Sequence, residues 1–218
     1  MAGRLIVFEG TDGSGKSTQF ALARQALEAA GRDFRTFVYP QYQEESSALL
    51  RMYLSGQFGT HPSDVNAYAA STFFAVDRYA GYKRFWGAYY ERGGLMVLDR
   101  YTTSNAVHQS SKLTPPEREK FFRWLADFEY GILGLPAPDL VLWLDMPTSL
   151  AVANLRHREQ ETHTTGDIHE VDEAYLTACR QAAAQAADFF GWQRVPCTDG
   201  EGALRTPEDI HREILSYI

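Results

Sequence analysis

Short, unbroken apolar runs alternate along the chain with longer stretches in which apolar positions recur every three or four residues. The runs lie at 4–9, 34–40, 94–99, 138–145 and 192–196. Each is continuous rather than alternating, which predicts five strands buried on both faces. Residues 19–31 carry helical spacing and end on Gly31, a residue that suits a helix stop. Residues 172–191 repeat that spacing, and 206–218 begin with Thr206 as a cap and Pro207 just inside it. Strands alternating with helices predict a parallel sheet covered on both faces, a three-layer α/β arrangement in one domain spanning 1–218. Two segments fall outside this scheme. Residues 56–65 read as a loop from their glycines and proline, and polar 159–167, with Gly166 near its end, reads as a mobile lid covering about 156–170. The aromatic series Tyr79, Tyr82, Phe85, Trp86, Tyr89 and Tyr90 reads as a core or subunit-contact stripe. The triplet Asp-Arg-Tyr occurs at 77–79 and again at 99–101, in a helical pattern and at a strand end, so the repetition reads as coincidence.

The first strand runs directly into Gly10-Thr11-Asp12-Gly13-Ser14-Gly15-Lys16-Ser17-Thr18, which satisfies G-x-x-x-x-G-K-[ST] between a strand and a helix. Backbone so poor in side chains lets several N–H groups converge on phosphate oxygens, and the helix amino end adds positive potential. In this motif Lys16 pairs with the β and γ phosphates and Ser17 ligates Mg²⁺, which points to a nucleoside triphosphate and a P-loop NTPase-type fold. The guanine-reading sequence Asn-Lys-x-Asp does not occur, which argues against a GTPase switch.

Charge narrows the partners further. With 21 basic and 28 acidic residues among 218, the formal charge is −7, so polymeric nucleic acid is not an expected partner and any anion must be held by local cations. Cys179 and Cys197 have neither disulfide-framework nor zinc spacing, and the amino-terminal apolar run is too short for a signal core or a membrane span. A cytoplasmic location is the expectation. Asp167–Glu173 fits no zinc motif and reads as ordinary acidic residues opening a helix.

Asp99 and Arg100 fall at the carboxyl end of the third strand, where ligands sit in open α/β sheets. Asp99 is placed to hold Mg²⁺ through water, and Arg100 to grip a phosphate with its planar fork. Phe74 and Arg78 stand four apart on one helix face, a ring and a guanidinium able to stack on a base and donate to its carbonyl oxygen, although such a pair by itself is more often a core ring beside a solvated charge.

The combination of "FEGTDGSGKSTQ", "YP" after the second strand, "FFAVDRY", "LDRYTTSNAVHQ" and "PDLVLWLDMPTSLAVANLRHR", in that order and over nearly the whole chain, resembles the thymidylate kinase family of the P-loop nucleoside monophosphate kinases. The resemblance implies transfer of the γ-phosphoryl group of ATP to dTMP, with Mg²⁺, in a homodimer. It implies that Asp12 approaches the acceptor sugar's 3′-hydroxyl, that Phe74 stacks on thymine and Arg78 contacts its O4, that Arg100 binds the acceptor phosphate, and that Asn105 lies beside the nucleotide. Gly13 stands where some members carry an arginine, so the chain is similar to the subgroup whose lid supplies the charge, here Arg156 and Arg158. Two positions depart from the pattern. Gln41 and Tyr42 follow Pro40 where an arginine is usual, leaving Arg51 as a candidate substitute. His108 replaces the usual Tyr or Phe beside the sugar's 2′ position. A nucleoside monophosphate has a second phosphate pKa near 6 and needs no general base, so catalysis is expected to rest on positioning and cations. The alternatives are a deoxynucleoside kinase, with Glu44 or Glu45 as the base its hydroxyl acceptor would need, and a nucleotide-binding module without turnover.

Overall fold

The computed structural model describes residues 2–162 and 173–218. In chain order these form β1 (Arg4–Glu9), α1 (Lys16–Ala29), β2 (Phe34–Val38), α2 (Ala48–Leu54), α3 (Ala67–Gly81), α4 (Gly87–Glu91), β3 (Leu95–Asp99), α5 (Thr102–Ser104), α6 (Pro115–Ala126), β4 (Leu140–Asp145), α7 (Thr148–Thr162), α8 (Glu173–Phe190), β5 (Gln193–Pro196) and α9 (Pro207–Leu215). Three π-helical turns, Tyr82–Trp86, Asn105–Gln109 and Asp127–Ile132, interrupt the helical stretches. The five predicted strands are all present, trimmed by a residue or two at four of them. Most of the predicted lid lies outside the described residues.

The sheet is parallel throughout, in the order β2-β3-β1-β4-β5. Central β1 shows why the run "LIVF" is continuous rather than alternating. Ile6 and Phe8 face a core shared with Ala23 and Leu27 of α1 and Ile210 and Ile214 of α9. Leu5 and Val7 face the opposite core, built with Tyr82, Trp86, Tyr89 and Tyr90. A strand buried on both faces needs apolar side chains at both parities. The aromatic stripe therefore divides: those four rings are buried in the core, while Tyr79 and Phe85 are each 41% exposed.

The chain leaves β1 toward β2 and β3 on one side of the sheet and returns to β4 on the other. Strand order thus reverses beside β1, and a crevice opens at the carboxyl ends of β1 and β3. Helix starts are set by local chemistry. Thr206 accepts a hydrogen bond from the Asp209 N–H at 3.2 Å ahead of Pro207, and Asn66 caps α3 through the Ala69 N–H at 2.9 Å. Asp145, at the end of β4 and buried, accepts hydrogen bonds from Arg180 of α8 and Arg194 of β5, both at 2.7 Å, which fixes the far edge of the sheet.

Leu98 is fully buried between the sheet and the aromatic layer. Leu98→Ala is expected to destabilise the fold by about 2–5 kcal/mol in denaturant titration. Arg24→Ala, on the exposed face of α1, is expected to change it by less than about 0.5 kcal/mol in the same assay.

Candidate active site

The loop between β1 and α1 has its shape because no side chain could occupy it. Gly13 (φ 78°) and Gly15 (φ 80°) adopt the left-handed region. A Cβ on Gly13 would lie 2.2 Å from the Ala151 carbonyl oxygen of α7. Asn154 of the same helix donates to the Gly13 carbonyl at 2.8 Å, so α7 is seated directly on the loop. Any side chain at position 13 would require α7 to move.

No acidic side chain stands in the first turn of α1, so the helix amino end keeps its positive potential for an anion. A cavity of about 410 Å³ opens there, lined by residues 11–19 and, opposite them, by Leu204, Arg205, Pro207 and Ile210. Lys16 is buried and ion-paired with Asp99 of β3. Burial foremost, with the nearby Arg100 charge, holds the Lys16 ammonium below the ordinary lysine pKa, while Asp99 opposes that shift. Ser17 and Thr18 are exposed in the cavity. Among the described residues no group of three or more His, Cys, Asp or Glu side chains is placed to cage a metal. The Ser17 hydroxyl and Asp99 carboxylate are a sparse hard-oxygen donor set, which fits Mg²⁺ completing its shell with water and phosphate oxygens.

A second cavity, about 180 Å³, lies at the ends of β2 and β3. Asp12 lines both cavities and is the residue their walls share. Arg100 is the non-glycine residue with positive φ (67°) among the described residues. Such a backbone is costly and persists where surrounding contacts enforce it. Here Arg100 Nη2 donates to Asp12 Oδ1 at 2.7 Å, and Nη1 lies 3.6 Å from Glu9 Oε1. Glu9 is itself fixed, accepting from Gly10 N–H at 2.9 Å and from the Thr103 and Ser104 hydroxyls at 2.6 and 2.7 Å. Burial would lower the Arg100 pKa, but Asp12, Glu9 and Asp99 outweigh it and hold the guanidinium above the ordinary arginine value. Arg100 Nη1 also meets His108 Nε2 at 3.0 Å. A guanidinium can only donate, so Nε2 accepts and the His108 proton sits on Nδ1, which faces the Tyr175 hydroxyl at 3.1 Å.

Phe74, Arg78 and Asn105 line the same cavity, with Phe74 half-buried and edge-on to Tyr53. Arg78 is not the solvated charge its spacing allowed. It is 2% exposed, and its Nε and Nη2 each donate to Glu129 at 2.6 Å. The two Asp-Arg-Tyr triplets also prove to be neighbours: Asp77, Arg78, Arg100 and Tyr101 form one wall, though on unrelated elements.

Two sequence expectations fare differently. Arg51 is exposed, donates to the Tyr42 carbonyl at 3.2 Å and does not line the cavity. Arg156 is exposed on α7 and lines neither cavity, while the Arg158 side chain lies outside the described residues. Four residues with no role predicted from the sequence complete the wall of this cavity: Tyr42, Tyr53, Tyr175 and Gln109, the last 4% exposed with an Oε1 that has no hydrogen bond among the described residues.

A phosphate loop and a second cavity meet at one carboxylate at the switch point of a parallel sheet, an arrangement that suits a P-loop nucleotide kinase. The chain belongs to the thymidylate kinase family, whose model, described as thymidylate kinase, matches residues 8–195. It is 35% identical over 158 residues, 72% of each chain, to a thymidylate kinase of Mycobacterium tuberculosis (strain H37Rv). It is 31% identical to one of Bifidobacterium longum (strain NCC 2705), covering 77% of this chain and 78% of that one. A probable thymidylate kinase of Pyrococcus abyssi is 25% identical over 100% of this chain and 97% of its own.

Gly13→Ala places a side chain in both a left-handed backbone and the Ala151 carbonyl. It is expected to weaken nucleoside triphosphate binding roughly 10-fold or more in titration calorimetry, the scale set by about 1–3 kcal/mol of backbone strain. Unchanged affinity would mean that α7 is not seated on the loop as described.

Proposed function

We infer that the chain phosphorylates dTMP with ATP, giving dTDP and ADP. The observation that carries this reading is the meeting of the two cavities at Asp12 and Arg100. Triphosphate occupies the loop cavity, its β and γ phosphates held by loop N–H groups and Lys16, with Leu204, Pro207 and Ile210 offering apolar contact to the adenosine end. Monophosphate occupies the second cavity, its phosphate on Arg100 and its base against Phe74. Asp12 accepts from the sugar hydroxyl and, through Arg100, sets where the acceptor phosphate stands.

The acceptor oxygen is already deprotonated near neutral pH, attacks the γ phosphorus, and the bond to the β-phosphate oxygen breaks to release ADP. What the protein supplies is alignment and charge. Lys16 stabilises the transferring group and Arg100 neutralises the acceptor; Arg156 and Arg158 stand on the helix packed over the loop as further cations. Ser17 and Asp99 would hold Mg²⁺, which would supply charge that neutralises the triphosphate oxygens.

We further propose one catalytic domain over 1–218, working in the cytoplasm as a homodimer. Both cysteines are buried and unpaired, and burial pushes the Cys179 thiol up to about 11 and Cys197 to about 12, so neither is a reactive thiol. No helix among the described residues is long and apolar enough to cross a membrane. Val76 and Tyr79, one turn apart on α3 and 49% and 41% exposed, offer an apolar face to a second copy. The nucleoside kinase alternative lacks its base: Glu44 pairs with Arg84 at 2.6 Å, and neither Glu44 nor Glu45 lines the cavity.

ADP formation measured with dTMP, dUMP, UMP, dCMP and thymidine tests this reading. Turnover is expected with dTMP and none with thymidine; turnover on thymidine alone would overturn it. Lys16→Ala is expected to lose roughly 10³-fold or more in rate. Arg51→Ala is expected to leave the KM for dTMP unchanged.

A further inference from the structure

Behind Arg78 and Asn105 of the second cavity stands a fully buried acid that the phosphoryl transfer does not use. Glu129 is 0% exposed and sits in the π-helical turn Asp127–Ile132, away from the glycine loop and every motif. Its two oxygens together receive four donors. Arg78 Nη2 (2.6 Å) and Asn105 Nδ2 (3.1 Å) converge on Oε1. Arg78 Nε (2.6 Å) and the Thr102 hydroxyl (3.0 Å) converge on Oε2. No part of this carboxylate lines the acceptor cavity, yet two of its partners do.

Each bond settles the direction in which a neighbour can act. Arg78 is clamped along its Nε–Nη2 edge, and its remaining Nη1 end reaches only the Tyr101 carbonyl at a long 3.5 Å. The guanidinium therefore offers N–H donors to the cavity at a fixed angle. Asn105 spends both amide hydrogens, one on Glu129 and one on the Ser71 carbonyl at 3.1 Å. Its amide cannot turn over without setting a carbonyl oxygen against a carboxylate and another carbonyl. Oδ1, an acceptor, is what Asn105 keeps for the cavity. Gln109 Oε1, buried and unpartnered on the same π-helical turn, is a second acceptor on that wall.

We propose that Glu129 is a positioning residue that fixes the hydrogen-bond polarity of the acceptor-base site, donor at Arg78 and acceptor at Asn105, so that the site takes a 4-oxo, N3–H pyrimidine and rejects a 4-amino one. The inference rests on the dTMP kinase reading. A 4-oxo pyrimidine presents an acceptor at O4 and a donor at N3, complementary to this pair. Cytosine presents a donor and an acceptor in the same places, and both contacts become mismatches that leave buried polar groups unpaired. The pair does not see the 5-methyl group, so it separates dTMP from dCMP and not from dUMP.

Glu129→Gln tests this with nearly unchanged volume. The amide supplies one acceptor oxygen where four donors converge, so Arg78 loses a leg of its clamp or Asn105 is freed to turn its N–H₂ toward the cavity. Steady-state kinetics with dTMP, dCMP and ATP are measured on wild type and variant, with thermal midpoints alongside. The expected result is a KM for dTMP raised roughly 10- to 100-fold, the scale of one charge-assisted hydrogen bond. The kcat/KM preference for dTMP over dCMP falls at least 10-fold, while the KM for ATP is unchanged. An unchanged dTMP KM and preference overturns the proposal, and so does a rise in both KM values together, which would mark a general loosening. If Glu129→Gln does not fold, Glu129→Asp, whose carboxylate is one methylene too short to span all four donors, is read in the same assays. Retained dTMP KM and preference in that protein overturns the proposal; lost preference with normal ATP KM supports it. A wild-type protein inactive on dTMP would instead sink the functional reading itself.

Discussion

The Arg100 guanidinium is shared among groups that would otherwise belong to separate parts of the molecule. It bonds Asp12 from the phosphate loop, lies beside Glu9 at the end of β1, and donates to His108 on the π-helical turn after β3. A non-glycine residue in the left-handed region is a cost to folding, and these contacts offset it. The result is one cation whose position is dictated by the phosphate loop and which lines the second cavity. Bringing two polyanions into line requires a fixed positive charge between them. Here that charge is part of the frame, and the loop and cavity cannot drift apart without breaking it.

The remaining architecture follows from holding that point still. Parallel β1 and β3, paired from Arg4↔Leu95 to Phe8↔Asp99, set the spacing between the loop that leaves β1 and the Asp99-Arg100 pair that ends β3. Lys16 reaches across the same gap to Asp99. Helix α7 presses on Gly13 from above, so the loop is clamped by a sheet on one side and a helix on the other. Catalysis on such a frame needs no general base, because substrate chemistry already supplies a deprotonated oxygen; it needs rigidity and local cations in a chain whose net charge is −7.

Much of this was legible in the chain itself. All five strands, the phosphate loop, the α9 cap at Thr206 and the placement of Asp99 and Arg100 at a strand end are local signals, carried by spacing within a few residues. What could not be read was partnership across the fold. The spacing alone left Arg78 between a base ligand and a solvated helix charge, because Glu129, 51 residues later, lies in a segment with no motif of its own. Arg51 looked like a phosphate ligand because it follows the second strand, but its helix turns it toward the Tyr42 carbonyl and solvent. Leu204, Pro207 and Ile210 reach the donor cavity only because α9 packs against α1 on one face of the sheet. The two Asp-Arg-Tyr triplets form one wall through tertiary packing, which no internal repeat would announce.

The central claim is direct transfer of a phosphoryl group between two anions held on either side of Asp12 and Arg100, with no covalent stop on the protein. The stereochemical course at phosphorus addresses it most directly: ATP made chiral at the γ-phosphoryl with oxygen isotopes, dTMP as acceptor, and configuration read in the dTDP product. Inversion is the predicted result, since a single in-line displacement reverses the phosphorus centre. Retention would require two displacements through an enzyme-bound phosphoryl group, and would contradict the account.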